Sequence, residues 1–211
     1  MPSKPRINEG EGFIRSHDLL EELHADIVTA YSTLEADKGS QYLRRCVVRA
    51  VFSFIEAAIE CIKVELKYSV RLGYFSEENL TDKDKETLGS ISIFPDQNGK
   101  FLPLDTNIKR TFKLASKIWS LDFKLRTDNE DWQDFTAAKN TRNKLTHPRT
   151  FYDIQVTDED MHCHTIAAWW VRREFQRLFK SRIEGLETLS GPEREKLLRA
   201  ISLSGEPPHP T

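Results

Sequence analysis

The sequence predicts an all-α chain. Apolar residues recur at helical spacing along nearly every long segment. One stretch, Gln41–Leu72, holds that spacing without a break. Glycine and proline are scarce, nine of each in 211 residues, so there is little to interrupt long helices.

The elements can be taken in order. Met1–Gly12 is polar, contains glycine and proline, and is expected to be disordered. A first helix is expected over about His17–Glu35, with Leu20, Leu23, Ile27, Ala30, Tyr31 and Leu34 on one side. Lys38-Gly39-Ser40 stops it and caps the next. The second helix, Gln41–Leu72, is the longest. Val47, Val51, Phe54, Ala58 and Cys61 line one face, and Val48, Ile55, Ile59, Ile62 and Leu66 widen the apolar arc past half the circumference. Such a helix belongs at the centre, covered on several sides. Arg45, Arg49, Glu56, Glu60, Lys63 and Lys67 form its polar strip.

Residues 74–104 break the pattern. Glu77–Glu86 is highly charged, and residues 91–104 read as two short extended pieces around Asn98-Gly99, a small β-hairpin inserted between helices. A third helix is expected over about Thr106–Phe123. A fourth starts near Asp128 or Asn129, either of which can cap it, with Glu130 and Asp131 favourably placed in the first turn. The connection Pro148–Val156 leads to a long helix from Asp158 to about Thr188, where Thr157 and Asp160 form a capping box with aspartate in the usual glutamate position. The expected organisation is a helical domain over 13–190, then a short helix and disordered tail over 191–211.

Composition sets outer bounds. With 38% hydrophobic residues, 211 residues can bury one real core. The formal net charge of −2 excludes a generally basic nucleic-acid coat. No apolar run is long enough to span a bilayer and no signal-peptide pattern opens the chain, so no membrane partner is expected. Three cysteines without a CxxC fit a reducing, cytoplasmic setting. His162-Cys163-His164 suggests a metal cluster, but adjacent helical residues point about 100° apart and cannot converge on one ion. These three read as helix-surface and core residues, and no metal or cofactor is expected. There is no glycine-rich phosphate loop, no GxSxG and no HExxH.

The stretch that carries chemistry is Arg142-Asn143-Lys144-Leu145-Thr146-His147-Pro148. Proline disfavours helical geometry at the residue before it, so the helix should end near His147. In an unbroken helix, residues five apart lie roughly 140° apart around the axis. Broken at Pro148, the chain leaves His147 free to turn back toward Arg142. Trp132, Phe135, Ala138 and Leu145 mark one apolar face, and Arg142 falls on it between Phe135 and Ala138. An arginine there needs a partner or a special role. One reading is an arginine paired with an internal carboxylate, or capping the last carbonyls. The other is a functional site.

Around the motif, residues 137–151 carry Lys139, Arg142, Lys144, Arg149 and His147 with no acidic residue. Such a local patch can hold phosphates in an acidic chain, although cations are favoured near any helix C-terminus. Glu56 and Glu60 on the second helix could orient a basic residue of the motif, or form exposed pairs with Lys63 or Arg49.

Arg-x4-His with a polar residue after the arginine resembles the signature of the HEPN superfamily, and Arg142, Asn143 and His147 match it residue by residue. The layout of long helices on either side is similar over roughly 13–187. The resemblance implies a HEPN-like helical bundle with a long central helix. It also implies metal-independent endoribonuclease chemistry, in which the ribose 2′-OH attacks the adjacent phosphorus. His147 would transfer protons, Arg142 would stabilise phosphorane-like charge, and Asn143 would position them. Lys139, Lys144 and Arg149 would hold RNA, with Glu56 and Glu60 in support. The resemblance further implies a homodimer with a composite cleft. The role would be that of a toxin or phage-defence effector, with a nucleotidyltransferase-type or other antitoxin as partner. Two alternatives stand beside it: a non-catalytic HEPN-like module binding nucleotide, RNA or protein, and a helical interaction protein whose Arg142 makes a structural ion pair. A loop histidine and a cleft arginine are expected to add little to the core.

Overall fold

The molecule, a computed structural model describing residues 9–71, 73–89 and 102–185, is built of helices, with no strand among the described residues. The helices are α1 (Glu9–Ala36), α2 (Gln41–Arg71), α3 (Asp82–Gly89), α4 (Leu104–Ile118), α5 (Glu130–Thr146) and α6 (Asp158–Gly185). Two 3-10 turns, Glu77–Asn79 and Phe151–Ile154, lie in the connections. The all-α expectation therefore holds. The hairpin expected around Asn98-Gly99 and the helix expected after Pro192 lie outside the described residues.

α2 is the central element. Val47, Val51, Ile55, Ile59, Ile62 and Leu66 are fully buried, as the wide apolar arc requires, because α1, α4 and α6 all pack against it. After the Asp37–Ser40 turn α2 returns along α1, antiparallel to it. α6 runs parallel to α2. Near its start Arg44 pairs with Asp158 at 2.6 Å, and toward its end Arg182 Nη1 donates to Glu65 at 2.9 Å. α5 runs antiparallel to α6, with Thr141 donating to Asp160, Cys163 approaching Asp134, and Trp132 packed on Trp170. Fully buried Phe135 and Trp170 lock the two helices together.

Several boundaries differ from the sequence expectations for physical reasons. α1 begins at Glu9, ahead of the apolar stripe that starts at Leu20. The charged stretch expected to be irregular contains α3, whose start is a capping box: Thr81 N–H donates to Asp84 and Asp84 N–H to Thr81 Oγ1. The third expected helix ends five residues early, at Ile118, because Ser120 takes a left-handed φ of 52°. Beyond it, Leu121, Phe123 and Leu125 face inward while Asp122, Lys124 and Arg126 face out, an extended period of two. That segment has side chains for backbone partners: Ser116 Oγ donates to the Phe123 carbonyl at 2.9 Å and Trp170 Nε1 to the Arg126 carbonyl at 3.1 Å. These satisfy groups that a helix or sheet would otherwise pair.

The polar strip of α2 is solvated only in part: Arg49 and Lys67 are exposed, whereas Glu56 and Lys63 are buried, and Lys63 donates to Glu60 at 2.9 Å. Burial pushes the Lys63 amine below its ordinary range, with Glu60 opposing.

Candidate functional site

α5 is assembled by local rules. Asn129 caps it, its Oδ1 accepting from Trp132 N–H at 3.2 Å, and Glu130 and Asp131 follow at the positive end of the dipole. At the other end Thr146 is the last helical residue. His147 is the C-cap, with φ −130° and ψ 60°. Its N–H still closes the final turn on the Asn143 carbonyl at 3.1 Å, while Thr146 Oγ1 donates to the Arg142 carbonyl at 2.9 Å. Pro148 thus breaks the helix where its ring chemistry demands. Arg142 lies in the last turn and His147 just past it, as the spacing predicts. His147 and Asn143 are exposed. Among the described residues no hydrogen bond or ion pair joins the His147 ring to the Arg142 guanidinium.

Arg142 is the connection to the core. Its side chain is 26% exposed and its Nη2 donates to Glu56 Oε1 of α2, a carboxylate only 8% exposed. Its Nη1 donates to Asn143 Oδ1 at 3.2 Å. The guanidinium carbon sits 5.9 Å from the centre of the Phe52 ring, near the outer limit of cation–π attraction. Phe52 and Glu56 are one turn apart on α2, so both reach the same partner. Burial pushes the Glu56 carboxyl above the usual carboxylate range. Arg142 pulls it back, and the neighbouring Glu60 adds to the rise.

Phe52 also meets His164 of α6, fully buried, its ring edge-on to Phe52 at 5.6 Å. Its Nδ1 meets the Asp160 carbonyl, and Nε2 has no protein partner. Burial pushes this imidazole below its ordinary range, with the Asp160 carbonyl opposing. Cys163 is buried beside Asp134, and burial raises its thiol to about 11. His162 is exposed, so the His162-Cys163-His164 run splits between surface and core. Among the described residues no group of three His, Cys, Asp or Glu side chains is placed to hold a metal ion.

The structure brings some of the expected site residues together and separates others. Glu56 joins Arg142, but Glu60 turns to Lys63 instead. Lys139 is occupied by Asp105 of α4, Nζ to Oδ1 3.0 Å, with only 18% of its side chain exposed. Lys144 and Arg149 are exposed at the motif end of the molecule. The Arg149 N–H donates at 2.9 Å to Asp153, which Thr150 also caps. These backbone donors hold the Asp153 carboxyl below the usual carboxylate range. The sequence reading did not single out Phe52, Phe151 or Tyr152. Phe52 was detectable as the residue one turn before Glu56, and the aromatic pair as two large rings directly after a basic segment.

Comparison with protein-family models, with curated proteins and with solved structures returned no match for this chain.

Proposed function

We propose that this chain is a metal-independent endoribonuclease of HEPN type. The observation that carries the reading is the end of α5: a helix-terminal Arg142 held by a carboxylate from behind, with Asn143 beside it and an exposed His147 at the cap. In this reading the ribose 2′-OH attacks the adjacent phosphorus, the P–O5′ bond breaks, and a 2′,3′-cyclic phosphate and a 5′-hydroxyl result. His147 takes the 2′-OH proton or delivers one to O5′, as imidazole can near neutral pH. Arg142 neutralises charge on the non-bridging oxygens through its planar donors. Asn143 positions the guanidinium or the phosphate. Lys144 and Arg149 contact the RNA backbone, and Lys139 supports the patch from its pair with Asp105.

A single copy supplies one motif histidine, His147. Both ends of the proton transfer are served if two copies meet at their α5 termini, so we propose a homodimer with a composite cleft. The biological role proposed is that of a toxin or phage-defence effector restrained by an antitoxin protein. The buried Glu56 specifically favours a second reading, in which Arg142 makes a structural ion pair in a non-catalytic helical module. The deciding experiment is cleavage of labelled total RNA by the wild type and by His147→Ala. Cleavage lost in the variant supports the ribonuclease, and equal inertness of both against several RNA classes supports the module.

A further inference from the structure

Exposed apolar side chains scattered singly need no explanation, but two large rings exposed side by side form a patch that can mark a binding site. Phe151 and Tyr152 are 70% and 83% exposed, the two most exposed aromatic residues after the motif. They stand side by side, ring centres 6.2 Å apart and near perpendicular, on the 3-10 turn Phe151–Ile154. That turn is built to hold them out. Thr150 and Asp153 form a reciprocal capping box at its start. At its end three side chains from the first turn of α2 grip the backbone. Arg45 Nη1 donates to the Ile154 carbonyl at 3.0 Å, Arg44 Nη1 to the Val156 carbonyl at 3.0 Å, and Gln41 makes two bonds to Val156 at 3.1 and 2.8 Å. The rings are therefore displayed by anchored backbone, so little ordering is needed when something binds them.

The surroundings indicate what that is. Lys144, His147 and Arg149 are exposed within the preceding residues, and His147 lies no more than about 14 Å from Phe151 along the chain. The next carboxylate in sequence, Asp153, is turned onto backbone N–H groups, and Asp158, its side chain 92% exposed, is paired with Arg44. Exposed cations interleaved with exposed π-faces are the combination that holds single-stranded nucleic acid: cations track phosphates and rings stack unpaired bases. A duplex keeps its bases stacked on each other and offers the rings no face.

We infer that Phe151 and Tyr152 form a base-stacking platform for unpaired RNA nucleotides flanking the scissile phosphate. The inference rests on the ribonuclease reading for the identity of the polyanion, and makes the substrate single-stranded.

The test uses the full chain carrying His147→Ala, so that the strand is bound and not cut. Anisotropy is read with a labelled RNA of about 12 nucleotides, single-stranded or annealed to its complement. The single strand is expected to bind more tightly than the duplex. Phe151→Ala with Tyr152→Ala should weaken single-strand binding at least about tenfold and leave duplex binding nearly unchanged. The leucine pair, which keeps apolar bulk without a ring, should fail like the alanine pair, and the tryptophan pair should bind like the parent. Circular dichroism checks that each variant is folded.

Unchanged single-strand affinity in the alanine pair, full affinity in the leucine pair, or no binding of either strand overturns the platform. So does sedimentation showing that the rings serve a dimer contact while RNA binding is indifferent to them. Failure of the two readings is distinguishable. Cleavage with ring-independent binding removes the platform alone, and ring-dependent binding without cleavage removes the ribonuclease alone.

Discussion

Replacing Arg142 by alanine tests how the candidate site is tied to the core. The variant leaves Glu56, 6% exposed, without its counter-charge. Breaking a buried pair from one side generally costs about 3–5 kcal/mol, but here proton uptake sets a ceiling. A carboxyl of ordinary pKa about 4.3 is protonated at pH 7 for roughly 3.7 kcal/mol, about 2.7 pH units at 1.36 kcal/mol each. In the wild type the Glu56 carboxyl already lies above its ordinary range, so part of that penalty is present before the substitution. The expected loss at pH 7 is about 1–3 kcal/mol, or roughly 2–12 °C in Tm for a chain of this size. A carboxyl raised in the folded state favours folding below its unfolded pKa and loses that advantage as pH rises through the folded pKa. The Arg142→Ala deficit should therefore grow from pH 5 to pH 8.

Removing both partners should erase the deficit, because an apolar pair leaves no orphaned charge. Thermal unfolding of wild type, Arg142→Ala and Arg142→Ala with Glu56→Leu, followed at 222 nm from pH 5 to pH 8, is the assay. The double variant is expected to recover most of the lost Tm at pH 8 and to remain unable to cleave RNA. Equal stability of wild type and Arg142→Ala at pH 8, or a double variant no better than the single, would refute the reasoning. A deficit of that size would overturn the expectation that a cleft arginine adds little to the core.

His147→Ala should lower cleavage at least about a hundredfold and leave Tm unchanged, since the ring is exposed; the same RNA assay run with EDTA should show undiminished wild-type cleavage, because proton transfer and charge neutralisation are assigned to side chains. Lys144→Ala and Arg149→Ala should each flatten the plot of log affinity against log salt by about 0.7, one phosphate contact on a single strand. Lys139→Ala should change that slope less, because its ammonium is held by Asp105. His164 has a lowered pKa through burial, so it favours folding above about pH 6.5 and loses that contribution as pH falls. Glu56 titrates with the opposite sign, so the comparison is with His164→Phe, whose Tm should fall less than the wild type's between pH 7 and pH 5.

The parts of the fold set by short-range chemistry were legible in the sequence. A cap at Asp128 or Asn129 and the Thr157–Asp160 box are legible from side chains that bond backbone three residues away; Asn129 makes the cap, and the box is formed. The break after Thr146 follows from Pro148 alone. The apolar arc of α2 gave its central place, since width of arc reports the number of covering neighbours. The end of α4 was misread because Leu121, Phe123 and Leu125 continue an apolar signal in a different period, and only the alternation with Asp122, Lys124 and Arg126 marks the change. The partner of Glu56 was legible only as one of two alternatives, a basic residue of the motif or a local pair with Lys63 or Arg49. Local spacing offers Lys63 and Arg49, whereas the actual partner is 86 residues away in sequence, and a helix face does not say which distant helix will cover it.

The Glu56–Arg142 pair bears on the function because of what it does poorly. Burial raises the Glu56 carboxyl in spite of the guanidinium beside it, so ionising this carboxyl inside the fold is a net expense, and an apolar pair would serve stability as well. What an apolar pair cannot do is fix a guanidinium in one orientation. Glu56 takes one Nη2–H, Asn143 takes one Nη1–H, and the Phe52 ring centre lies 5.9 Å from the guanidinium carbon. The remaining donors of the fork stay available on a side chain a quarter exposed. A phosphate is met by such a fork without first having to order it. Glu56 is then a positioning residue, and its variants should separate by geometry. Glu56→Gln keeps an acceptor for Nη2 and should keep cleavage within about tenfold of wild type, whereas Glu56→Ala frees the guanidinium and should lower kcat by about a hundredfold. Both changes remove the carboxylate, so a purely electrostatic or structural role for Glu56 predicts equal losses, and equal losses would end the positioning argument.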